Sequence, residues 1–202
     1  MKHYIVIVFA LLLGLSSCKK QELPKPQDGE PIVWIEGKVN NVPFKFTAGE
    51  NATYANVITH NIDSQSRQFI FKIDAPDFKK SIEISINNWQ KTLGDVNSDL
   101  ANTIQPGVYK FTYSNAFPFI PYRKSEVIFL YNDLAAGVKY YTIPYAQQLS
   151  GQFEIVSVKD VEHEGKTYKL AEIKFSCRVK NPYNNWWYDI TEGYGFIPFG
   201  QK

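Results

Sequence analysis

Residues 170–180 read LAEIKFSCRVK. Ala171, Ile173, Phe175, Cys177 and Val179 alternate with Glu172, Lys174, Ser176, Arg178 and Lys180. Side chains of a strand point to opposite faces in turn, so this pattern predicts a half-buried antiparallel strand. It also sets Cys177 on the apolar face, where a free thiol behaves as a small hydrophobe with little thiolate. The same period of two recurs on both sides. Gly151 to Val158 precedes a predicted hairpin turn at Glu164-Gly165-Lys166, and the C-terminal strand follows, so the end of the chain reads as a meander. Upstream, Trp34 to Val39 and Val42 to Phe46 flank Asn40-Asn41, a pair that tolerates positive φ and predicts a hairpin. Further strands are expected at Ile70–Asp74, Ser81–Asn87, Gly107–Tyr113, Val127–Leu130 and Val138–Ile143. A sustained helical period is missing, and Asp95–Thr103 is the one candidate for a turn or short helix. About ten strands with turn signals between them predict an all-β domain over 32–202, an antiparallel β-sandwich or distorted barrel with little helix.

The first residues ask for a different reading. Lys2 is followed by an almost unbroken apolar run from Tyr4 to Leu15, of signal-peptide length and too short to span a bilayer. Leu15-Ser16-Ser17-Cys18 closes it. This resembles the bacterial lipoprotein lipobox, and the resemblance implies cleavage of 1–17, diacylglycerol on the Cys18 thiol and acylation of the new amino terminus. Two or three acyl chains hold a protein firmly where one does not. Residues 18–31 carry Pro24, Pro26 and Pro31 among polar residues, the composition of an extended tether. Lys19 and Lys20 follow the cysteine where an inner-membrane retention signal would place Asp. The expectation is a lipid anchor in the outer membrane, with the periplasmic and extracellular faces both open.

Charge and cysteines narrow the chemistry. Of 22 basic and 20 acidic residues, Lys2 leaves with the signal, so the mature chain is nearly neutral. That balance offers no electrostatic footprint for nucleic acid. With Cys18 acylated, Cys177 has no partner for an intrachain disulfide.

Asp95-Val96-Asn97-Ser98-Asp99 has the alternating oxygens that begin a calcium loop, but Leu100 stands where the loop needs glycine and Pro106 where it needs a bidentate carboxylate. Side chains bonding their own backbone explain the string better. His60 and His163 are not spaced for zinc, and Glu162-His163-Glu164 reads as a solvated hairpin tip. Neither a nucleophile elbow nor a phosphate loop is present. The sequence singles out no catalytic residue, metal or cofactor.

The strongest binding candidate is Tyr183-Asn184-Asn185-Trp186-Trp187-Tyr188-Asp189. Tyr183, Trp186, Trp187 and Tyr188 beside amides and a carboxylate suit a sugar platform, because flat rings stack on the apolar faces of pyranoses. Two readings compete: a platform at a loop–strand junction, or core and rim packing in an aromatic-rich sandwich. On a strand, at most one of Trp186 and Trp187 enters the core. Pro118 to Arg123 is a second aromatic stretch, read as a loop.

Certain dispersed features carry a family resemblance: Gly37-Lys38 with Phe44, Pro106-Gly107-Val108-Tyr109, Ser150-Gly151-Gln152-Phe153-Glu154-Ile155, and Ile190 to Phe196. In these the chain resembles small Bacteroidetes outer-membrane lipoprotein domains of the DUF6252-like kind over residues 33–199. The resemblance implies an all-β fold and supplies no catalytic residues. The functional expectation is a non-enzymatic envelope lipoprotein with a binding or structural role, glycan binding through Tyr183–Tyr188 being its sharpest form. Two alternatives stay open: a partner of an outer-membrane receptor or secretion complex, and a polymer-degrading hydrolase whose carboxylates meet only in space.

Overall fold

A computed structural model describes residues 33–62, 66–88, 95–112, 126–142, 151–163, 165–184 and 186–200. The predicted signal peptide, Cys18, the tether and the Pro118–Arg123 stretch lie outside them. The strands are β1 (Trp34–Val39), β2 (Val42–Thr47), β3 (Tyr54–Asn61), β4 (Arg67–Ala75), β5 (Lys80–Asn88), β6 (Gly107–Phe111), β7 (Glu126–Asp133), β8 (Val138–Thr142), β9 (Gln152–His163), β10 (Lys166–Lys180) and β11 (Trp187–Gly200). Among the described residues one α-helix, α1 (Val96–Thr103), lies between β5 and β6.

The eleven strands form one sheet in the order β2-β1-β11-β10-β9-β6-β7-β5-β4-β3, with β8 bridging β7 and β10. The sheet folds over its own apolar side, giving the all-β, sandwich-like architecture the alternation predicts. Pairing is antiparallel except for Lys110↔Glu126 and Phe111↔Val127, where β6 runs parallel to β7. Because β8 joins β7 to β10, strands β10, β9, β6, β7 and β8 close into a ring. Phe129 of β7 and Phe175 of β10 meet across the interior at 5.1 Å between centroids, with Phe153 beside them. The alternation in β10 is realised as read: Ala171, Ile173, Phe175, Cys177 and Val179 are all buried. Burial pushes the Cys177 thiol well above its ordinary pKa, which keeps it protonated and inert.

Asn40 and Asn41 take φ of 48° and 66°, the left-handed pair of a two-residue hairpin turn. In such a hairpin Val39 and Val42 exchange both backbone bonds, so the next residue of β2, Pro43, turns its nitrogen outward. Proline on the open side of an edge strand removes a donor that another chain would use.

A bulge in β11 changes which residues face inward. Glu192 adopts φ 53°, and the register shifts against both β1 and β10 at this point. Before it Tyr188 and Ile190 point inward; after it Gly193, Gly195, Ile197 and Phe199 do. Tyr194 and Phe196 therefore lie on the outer face, where Trp34 packs against both at 5.4 and 5.8 Å.

The Asp-x-Asn-x-Asp string is the start of α1. Asp95 Oδ1 accepts from the amides of Asn97 and Ser98, each at 3.0 Å, and Oδ2 accepts from the Ser98 hydroxyl. Asp95 is thus an N-cap, and these bonds hold its carboxyl below the usual range, the Ser98 hydroxyl first. Asp99 faces the opposite way, into the protein, and takes the Arg67 guanidinium at 2.6 Å. The two carboxylates diverge, and among the described residues no group of three His, Cys, Asp or Glu could hold a metal ion.

Candidate functional site

Four turns meet at one end of the sandwich: the β1–β2 tip, the short 3-10 turn Pro76–Phe78, the β7–β8 turn and the β10–β11 loop. The last carries the aromatic run. Asn181, almost fully buried, organises it. Its Oδ1 accepts from the amides of Tyr183 (2.8 Å) and Asn184 (3.1 Å), and its Nδ2 donates to the Lys139 carbonyl at 3.2 Å. Its own amide donates to the Trp186 carbonyl at 2.9 Å, and Asn184 Oδ1 accepts from the Trp186 amide. An asparagine bonding the backbone two and three residues on is what permits so sharp a reversal after Pro182. The consequence is exposure: Tyr183 is 95%, Trp186 62% and Trp187 44% open to solvent.

Trp187 and Tyr188 open β11 and part company there. Tyr188 turns inward, stacks on Tyr140 at 4.3 Å and 22°, and meets Tyr131 edge-on at 5.9 Å. Burial raises the pKa of Tyr140, further raised by its hydrogen bond with Tyr188; burial also raises Tyr131. Tyr131 and Tyr140 are therefore neutral hydrogen-bonding groups at physiological pH. Trp187 lies on the outer face with the Lys180 ammonium 4.9 Å and the Arg178 guanidinium 5.7 Å from its ring centre. Of the four rings the sequence groups together, Tyr183, Trp186 and Trp187 are on the surface, and Tyr188 packs against the core.

Arg178 holds Asp189 by two bonds, Nε to Oδ1 at 2.6 Å and Nη2 to Oδ2 at 2.9 Å. That fork keeps the Asp189 carboxyl below its ordinary value. A depressed carboxyl contributes stability that is present above its unfolded value and lost as pH falls through the folded one. Trp187 fluorescence is therefore expected to hold steady from pH 8 to 5 and to change only below about pH 4, where the fork between Asp189 and Arg178 is lost. An Asp189→Asn variant should lack that transition; a transition centred at pH 6 would contradict the assignment.

Beside the loop a groove of about 470 Å3 opens between the β1–β2 hairpin and the opposite layer. Val42, Phe44, Phe46, Phe78, Tyr131 and Tyr188 supply most of its apolar wall. Lys80 lies in it, bonded to Asp133 at 2.5 Å. Asn40 ties groove to loop strand: its amide donates to the Asp189 carbonyl, and its Oδ1 accepts from the Asp189 amide, both at 2.9 Å. No sequence signal marks this groove, because its walls come from separate strands and turns.

Fold and site together define an all-β, sandwich-like protein with exposed aromatic rings and an aromatic groove at one end. No protein-family model, curated protein or solved structure matches the chain. Among the described residues no helix is long and apolar enough to cross a membrane.

Proposed function

We propose that this protein is a non-enzymatic, lipid-anchored binding protein of the bacterial cell envelope that holds a glycan on Tyr183, Trp186 and Trp187. The observation that carries the reading is the exposure of these three rings on a loop tied down through Asn181. Folding ordinarily hides large aromatic surfaces, so a preorganised loop that presents them has a surface for a ligand to cover. Tyr and Trp suit this role because each supplies a broad amphipathic face at small cost in rotamer freedom. The LSSC sequence at 15–18 and the tether after it support the anchor, and the resemblance to Bacteroidetes lipoprotein domains supports the envelope address.

The test uses the full chain in detergent, passed over insoluble polysaccharides. Trp186→Ala and Trp187→Ala are each expected to abolish retention while leaving the unfolding free energy from urea titration within about 0.5 kcal/mol of the parent, as surface substitutions do. Acrylamide should quench both indoles in the free protein and quench them less with glycan bound. Retention of both variants equal to the parent's would end this reading. The apolar groove beside the loop favours one further possibility, an outer-membrane protein partner. In that case the same variants lose co-purification of that partner and bind no polysaccharide.

A further inference from the structure

Lys180 of β10 pairs with Trp187 of β11 on one side and Tyr141 of β8 on the other. Val179, the preceding residue, faces the core, and so do its partners Thr142 and Tyr188. Cross-strand partners share a face, so Tyr141, Lys180 and Trp187 form a row on the outer face. Two strand spacings set the flanking residues about 10 Å apart with Lys180 on the strand between them, its ammonium 4.9 Å from the Trp187 ring centre. Among the described residues Lys180 meets only the Trp187 ring and no carboxylate. Lys139, two positions from Tyr141 on the same face of β8, is exposed and likewise has no carboxylate among them. Asp189, an acid close to this row, is taken by Arg178.

A chain of sugar rings lying across Trp187 and Tyr141 must cover Lys180. Sugar hydroxyls replace part of the water that a covered ammonium loses, but a carboxylate there makes a charge-assisted bond roughly twice as strong and neutralises the charge. A ligand that brings the anion is therefore the one this row favours. Resting on the glycan reading above, we infer that the ligand is an acidic polysaccharide of hexuronate units. One ring stacks on Trp187, a second on Tyr141, and a ring carboxylate sits on the Lys180 ammonium. Tyr141 and Lys180 thereby join the site as binding residues, and Lys139 is placed to meet the carboxylate of a neighbouring unit.

The experiment compares the full chain in detergent on two polymers, polygalacturonate and the same polymer after its carboxyls are reduced to alcohols. The parent is expected to bind the acidic form at least about tenfold tighter, the scale of one hydrogen bond to a charged group. Lys180→Gln should erase that preference and bind both forms alike, Lys180→Arg should keep it, and Tyr141→Ala should weaken both. Raising salt should weaken the parent on the acidic polymer only. Equal binding of both polymers by the parent, with Lys180→Gln unchanged and Trp187→Ala weakened, overturns the acidic assignment and leaves the aromatic platform standing. Indifference of Trp186→Ala and Trp187→Ala as well removes the platform itself. Retention on beads carrying immobilised glycerol phosphate that Lys180→Gln alone loses, with both polymers bound alike, assigns the row to an anionic lipid headgroup and overturns the proposal.

Discussion

Replacing Asp99 by Ala is expected to lower stability by about 3–5 kcal/mol, the usual consequence of stranding one partner of a buried ion pair. Asp99 projects from the first turn of α1 to Arg67 at the start of β4, and neither side chain has more than a few per cent of its surface open. Arg67 also donates through Nε to Asn61 Oδ1 at 3.1 Å, which fixes its planar head but brings no negative charge. Without Asp99 the guanidinium stays charged, since arginine does not deprotonate in proteins, and it stays out of water. A domain of this kind has about 5–15 kcal/mol in total, so the variant should unfold at a much lower urea concentration with an unchanged slope. The double variant Arg67→Met/Asp99→Leu removes both charges and is expected to recover most of the loss. A loss below about 1 kcal/mol in Asp99→Ala would mean that the pair is not dry.

Phe175→Ala is expected to cost a similar amount, about 3–5 kcal/mol, through lost burial and the cavity left behind. Phe175 packs on Phe129 at 5.1 Å and near Phe153 at 6.4 Å, where the two layers meet. Its ring also lies directly over Gly193 of β11, where an added Cβ would come within 2.5 Å of the ring carbons. Gly193→Ala alone should therefore cost about 1–3 kcal/mol by overpacking. In the Phe175→Ala background the same methyl enters vacated space, so the two losses should fall short of their sum by more than about 1 kcal/mol. Additive losses would show that the ring does not depend on the bare backbone of Gly193.

The sequence made some of this legible and hid the rest for identifiable reasons. From Ala171 to Lys180 of β10 each buried residue alternates with a polar one, so the strand, its inner face and the fate of Cys177 could all be read. The Asn40-Asn41 hairpin and a short helix within Asp95–Thr103 were legible too, because turn and cap chemistry is local. The Glu192 bulge was not. Gly193-Tyr194-Gly195-Phe196 alternates well, yet alternation says nothing of which set faces inward once a residue is inserted. The result seats two glycines inside and two aromatics outside.

The aromatic run stood undecided for a related reason. Adjacent rings at Trp186, Trp187 and Tyr188 leave no polar residue to mark the outer face, and only the Asn181 turn and the start of β11 at Trp187 settle it. Tyr141 was hidden within VKYYT, where its neighbour Tyr140 takes the core. The row with Lys180 exists only because β8 crosses to pair β10, a long-range contact that no local pattern encodes.

The point where the chain enters the sheet has a mechanical consequence. Trp34, the first residue of β1, stands opposite Phe196, whereas the aromatic loop joins β11 at Trp187, about 30 Å further along the strand. A connection running from Val33 back to Cys18 therefore pulls on the end of the body remote from the exposed rings. With Cys18 held in a bilayer as proposed, tension at Val33 would turn the exposed rings away from the headgroups, as a mooring line turns a buoy. On the glycan reading proposed above, the rings would there meet a long polymer before it reached the membrane.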